Sequence, residues 1–156
     1  MTKTRKNVNQ NQTCFILKYE TPDEEAIRRA EEAALAKRQT RIFLREKRES
    51  IEYHKGRIKT LEKELKRGKA LLKTIDPEIE NLRAEREMAR YAADFKSYNE
   101  ISKRMSVRFD YYQKVEMFCR YREKSINEIT GLINDLQKAK NVSDRKIIEK
   151  KYHNYF

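Results

Sequence analysis

Between Tyr91 and Leu136 the apolar residues return with the alternating three-and-four spacing of a long α-helix packed lengthwise on another helix. Tyr91, Tyr98, Met105, Tyr112, Cys119, Ile126 and Ile133 recur every seven residues, and Phe95, Phe109, Ile129 and Leu136 fill most of the places between them. A helix with such a seam needs a partner, and the chain supplies one upstream. Leu44, Ile51, Ile58, Leu65 and Leu72 also recur every seven residues, with Leu61 and Ile75 between.

Composition agrees with two long helices rather than a globule. Of 156 residues, 40% are charged and only 38% hydrophobic, with three glycines, two prolines and no tryptophan, too little apolar mass to enclose a large core. Disorder is the competing reading of so polar a chain, and the regular Leu, Ile, Tyr and Phe positions argue against it over residues 23–139. The expected fold is all-α: an elongated antiparallel helical hairpin, a coiled coil, with a short C-terminal helix and an extended N-terminal arm.

The boundaries follow from local signals. Residues 1–20 read as a basic flexible arm, MTKTRKNVNQNQ, ending in a short apolar segment, CFILKY, that packs on its own hairpin or adds to a partner's sheet edge. Thr21-Pro22-Asp23-Glu24 is a helix start, with Thr21 as cap, Pro22 in the first helical position and Glu24 closing a capping box. The hairpin is placed at 21–139, with helices over 22–73 and 77–139. The turn is expected at 74–77, because Pro77 disfavours helical geometry at Asp76. Gly68 is placed to end the first helix a turn or two early. Ala26, Ala30, Ala33, Ala34 and Ala36 either admit another helix closely or leave that end weakly packed. Val142-Ser143-Asp144 opens a last element over 143–156, a short helix or tail, with Ser143 as cap and Val142 stapled to Ile147. Its Ile147, Ile148, Tyr152, Tyr155 and Phe156 are expected to fold back on the hairpin, the alternative being a docking tail.

Two stripes carry the functional information. On the first helix Arg38, Arg41, Arg45, Arg48, Lys55, Lys59, Lys66, Lys69 and Lys73 follow one another along one side, interrupted only by Glu52 and Glu62. Such a row can track a phosphate backbone, its arginines making bidentate contacts. The alternative is pairing with the acidic start of the second helix, where Glu78, Glu80, Glu85, Glu87 and Asp94 stand. Residues 76–100 hold seven acidic against four basic side chains, and residues 51–75 eight basic against three acidic. On the second helix Val107, Tyr111, Val115 and Phe118 widen the apolar arc beyond what one partner helix covers. The C-terminal helix, the CFILKY segment or a second copy of the chain is expected on that face.

The formal charge of +12 favours polyanionic partners, since each neutralised phosphate releases counterions. Catalytic residues are not found. The glycines are isolated, so no phosphate-cradling loop exists. His54 falls on the seam of the first helix and His153 in the tail, and neither belongs to a Cys/His or H-E-x-x-H arrangement. No metal ligands and no cofactor are implied. Cys14 and Cys119 lie far apart, which fits a reducing intracellular setting, cytoplasmic or nuclear. No apolar run is long enough to span a membrane.

The expected function is that of a non-enzymatic protein binding nucleic acid or a nucleoprotein complex through the basic stripe. The alternatives are an adaptor or inhibitor, of the kind mobile elements encode, docking on an acidic protein partner, and a self-assembling scaffold or homodimer.

Overall fold

The computed structural model describes residues 23–156 and, over that range, an all-α chain. Helix α1 runs from Glu24 to Tyr91 over 68 residues, α2 from Phe95 to Lys138 over 44, and α3 from Val142 to Lys151, followed by a 3₁₀ turn at His153–Tyr155. The chain divides into two units, one up to Leu44 and the other Arg45–Phe156.

In the first unit Asp23 starts the helix. Its Oδ1 accepts the Glu25 N–H at 3.2 Å, and its carbonyl accepts those of Ala26 and Ile27 at 2.8 and 3.1 Å. The alanine-rich stretch is exposed throughout and carries the local pairs Arg29–Glu25 at 2.6 Å and Arg28–Glu32 at 3.9 Å. The basic arm, CFILKY, Thr21 and Pro22 lie outside the described residues.

The second unit is the hairpin. Its two long helices run antiparallel, since rungs climbing α1 descend α2: Glu64 meets Arg122, and Glu78 meets Arg108 at 3.2 Å. Ile75 and Ile79 from α1 bury against Val115 and Cys119 from α2, with Leu65, Leu72 and Tyr112 packed around them. The α2 heptad from Tyr98 to Ile133 lines this seam, each member buried or half-buried. Its expected first members do not. Tyr91 closes α1 and Phe95 opens α2, and both side chains are exposed at the turn. On α1 the seam holds Ile51, His54, Ile58, Leu61, Leu65, Gly68, Leu72 and Ile75; Leu44, expected to begin it, belongs to the first unit and is 51% exposed.

The turn is not at 74–77. Helix α1 passes through Pro77 without a break and ends at Tyr91. Proline in a helix interior leaves the carbonyl four residues back, here that of Lys73, without its N–H partner. The loss is tolerable at Pro77 because this residue stands on the face opposite the seam, exposed to water, while Ile75, Ile79, Leu82 and Ala89 continue the buried spacing past it. Those four buried side chains outweigh one proline. Gly68 likewise does not end the helix. It sits where α2 comes closest: an added Cβ would stand 2.6 Å from Cys119 Sγ.

The actual turn is made at residues 92–94. The N–H of Ala93 bonds to the Arg90 carbonyl at 3.1 Å and that of Asp94 to the Ala89 carbonyl at 3.0 Å, the paired bonds of a Schellman ending. Ala93 takes the left-handed conformation this requires, with φ 52°. Asp94 then caps α2, its carboxylate accepting the Ser97 N–H at 3.1 Å and the Ser97 hydroxyl at 2.6 Å. These bonds hold the Asp94 carboxyl below its ordinary pKa.

At the other end α3 folds back. Ile129, Leu132 and Leu136 on α2 are fully buried, and Ile148 of α3 is buried too; each such side chain contributes about 1.5–3 kcal/mol. Asn141, not Ser143, caps α3, its side chain accepting the Asp144 N–H at 2.9 Å while Asp144 accepts the Lys140 N–H at 2.8 Å. This reciprocal pair leaves Ser143 inside the helix. Val142 and Ile147, expected to staple, are both exposed. Lys47 closes the unit by donating to the carbonyls of Gln137 and Ala139 at 2.9 and 2.8 Å, at the C-terminal end of α2.

Candidate functional site

The nine cationic residues of the stripe are all exposed. Arg38 and Arg41 belong to the first unit, and Arg45, Arg48, Lys55, Lys59, Lys66, Lys69 and Lys73 to the hairpin unit. In the hairpin unit they fall on two heptad positions three residues apart, which are neighbours on the helix surface. The row runs along one flank of the seam, spanning ~42 Å from Arg45 to Lys73 at 1.5 Å per residue.

Where the turn lies decides how free this row is. A turn at 74–77 would fold Glu78, Glu80, Glu85 and Glu87 back along the row. With the turn at 92–94 these glutamates stand on the same helix beyond it. Glu78 engages Arg108, Glu80 engages Arg83 at 3.0 Å, Glu87 engages Arg90 at 3.6 Å, and Asp94 is spent as a cap. What pairing the row does have is sparse. Lys69 reaches Glu123 of α2 at 2.8 Å, a hydrogen bond that raises the ammonium pKa; Lys55 meets Glu52 at 3.0 Å and Arg45 meets Glu49 at 3.9 Å. Exposed pairs of this kind add little stability and exchange readily for other anions. Arg48, Lys59, Lys66 and Lys73 have no carboxylate within 4.0 Å among the described residues. Four unpaired cations along one flank concentrate positive potential that salt screens and a polyanion satisfies.

The apolar face is split. Val115, expected on it, is 8% exposed and belongs to the hairpin seam. The reason is register: Val115 stands one heptad before Arg122, which reaches across to Glu64, and four residues before the buried Cys119, on the side facing Ile75 and Ile79. Val107, Tyr111 and Phe118 remain open at 67%, 42% and 37% exposure. Of the three candidate covers, the C-terminal segment meets α2 at Glu128, Gly131 and Asp135, beyond the arc.

The histidines fall differently from the cations. His54 is buried at 1% exposure, its ring edge-on to Tyr53 at 5.2 Å and to Phe156 at 5.6 Å, with Nδ1 lacking a hydrogen-bond partner. Burial, then the neighbouring Arg57, lower its pKa. At the C-terminus Asp135 accepts from Lys151 and from the Tyr152 hydroxyl at 2.8 and 2.9 Å, which lowers its pKa. Tyr155 donates to Glu128, and desolvation together with that bond raises its pKa. Among the described residues no three His, Cys, Asp or Glu side chains gather as metal ligands, and no helix is long and apolar enough to cross a membrane.

Sequence reasoning missed the groove around Gly68, about 420 Å³ in volume, where Leu71, Val115 and Phe118 supply the apolar lining and Glu64, Arg67, Lys114 and Arg122 the charged one. The available signal was the glycine itself, placed on the seam one heptad before Ile75. The chain matches no protein-family model, no curated protein and no solved structure.

Proposed function

We propose that the protein is a non-enzymatic nucleic-acid-binding factor whose hairpin lays the flank of α1 from Arg45 to Lys73 along a phosphate backbone. The observation that carries this reading is the absence of a carboxylate partner for Arg48, Lys59, Lys66 and Lys73 among the described residues, in a chain whose net charge is +12. Affinity then comes from counterion release and is largely indifferent to sequence, because side chains meeting only phosphates carry no base readout.

The test is fluorescence anisotropy with labelled duplex DNA, single-stranded DNA and RNA. Four phosphate contacts give duplex binding a log–log salt slope of about −3.6, roughly a 150-fold loss between 50 and 200 mM salt. Replacing Arg48, Lys59, Lys66 and Lys73 by glutamate is expected to abolish most of that slope. A control with the same charge change at the exposed Lys96, Lys103, Lys124 and Lys146 keeps it. Equal losses in the two variants would mean that net charge acts without the row, and binding indifferent to salt would sink the reading.

A further inference from the structure

The C-terminal segment occupies one end of a groove between the two long helices. Tyr155 straddles it, its ring 5.4 Å beneath the Arg57 guanidinium of α1 and its hydroxyl on Glu128 of α2, while Phe156 closes on His54. Nearly two heptads nearer the turn the groove is open. Leu71, Val115 and Phe118 line it, and it is deep there because Gly68 has no side chain: a Cβ would stand 3.4 Å from the Phe118 ring. Tyr111 and Val107 extend the apolar row along α2 at helical spacing.

Charge says what fits. Arg122 is committed, bonded to Glu64 and stacked 4.5 Å over Phe118, but Arg67 and Lys114 on the two rims have no carboxylate within 4.0 Å among the described residues. A second copy seated symmetrically would bring two such basic rims together. We propose that this groove is the docking site for an acidic amphipathic α-helix of a partner protein, laid along the hairpin as a third helix in line with the chain's own C-terminal segment. Its apolar face would fill the row from Leu71 to Tyr111, and its carboxylates would meet Arg67 and Lys114. The groove lies on the flank of α1 opposite the basic row, so this site stands or falls independently of nucleic-acid binding.

The probe is a fluorescein-labelled 21-residue peptide of three heptads, with Leu and Phe on one face and Glu elsewhere. Its isomer of equal composition scatters the apolar residues around the helix. The full chain is expected to bind the amphipathic peptide saturably and the isomer at least 10-fold more weakly. Arg67→Glu with Lys114→Glu, both at exposed positions, should weaken binding at least 10-fold, and Phe118→Gln should do so with the rim charges intact. The four-glutamate variant of the basic row should bind the peptide within 2-fold of the parent chain. No saturable binding, equal binding of both peptides, or loss in the basic-row variant alone would overturn the proposal. So would a dimer by light scattering that protects this face, or displacement of the peptide by single-stranded DNA from that same basic-row variant.

Discussion

His54 shows how one side chain couples the end of the chain to the seam. An imidazole at 1% exposure with an unpartnered Nδ1, closed over by Phe156 and facing Arg57, favours its neutral form. Its folded pKa is therefore below the unfolded 6.5. The unfolded chain binds the proton first, so the protein loses stability as pH falls below about 6.5, until the folded imidazole also titrates. The thermal midpoint is expected to be lower at pH 5.5 than at pH 7.5, and His54→Leu should flatten that difference. Equal pH dependence in the parent and the variant would count against a buried neutral imidazole. The seam position of His54 was legible from its spacing with Ile51 and Ile58. Its cover was not, because the contact comes from a residue about a hundred positions later, and no local pattern encodes such a closure.

At the scale of elements, the heptads made the hairpin legible and Pro77 made its turn misleading. Proline and its preceding Asp76 are strong local punctuation, but punctuation competes with packing. Leu72, Ile75, Ile79 and Leu82 keep their three-and-four phase across Pro77, whereas a turn there would reset it. The turn that forms, Ala92-Ala93-Asp94, contains neither glycine nor proline; its only sequence signal is Asp94 three residues before Ser97. Because Pro77 lies inside a helix, Pro77→Ala restores the N–H that Lys73's carbonyl lacks. It should stabilise the protein by about 2–3 kcal/mol, read as a higher denaturant midpoint at unchanged slope. Were Pro77 the first residue of a helix, the same change would be neutral or destabilising. The apolar arc follows from helical spacing over Tyr98–Ile129, wherever that helix begins. Spacing alone does not divide it: only the register against Ile75 and Ile79 separates Val115, inside, from Val107, Tyr111 and Phe118, outside.

Across the whole molecule, the position of the turn governs the distribution of charge. Composition gives the net positive charge on which the proposed polyanion partner rests, and the row of cations was readable by helical spacing alone. Whether the row was masked was not readable, since that depends on which residues α2 sets beside it. A turn at 92–94 keeps Glu78, Glu80, Glu85 and Glu87 on α1 and leaves Arg48, Lys59, Lys66 and Lys73 without them. The same register opens the Gly68 groove on the opposite flank, giving the hairpin two surfaces of different chemistry. Both rest on α1 continuing unbroken through Pro77. The most direct test is a distance between spin labels at Lys63→Cys and Tyr91→Cys, in a Cys14→Ser, Cys119→Ala background, by double electron–electron resonance. A continuous helix over those 28 steps of chain separates the two backbone sites by about 42 Å. A turn at 74–77 would bring them side by side at the spacing of packed helices, about 10 Å, and that result would contradict the account.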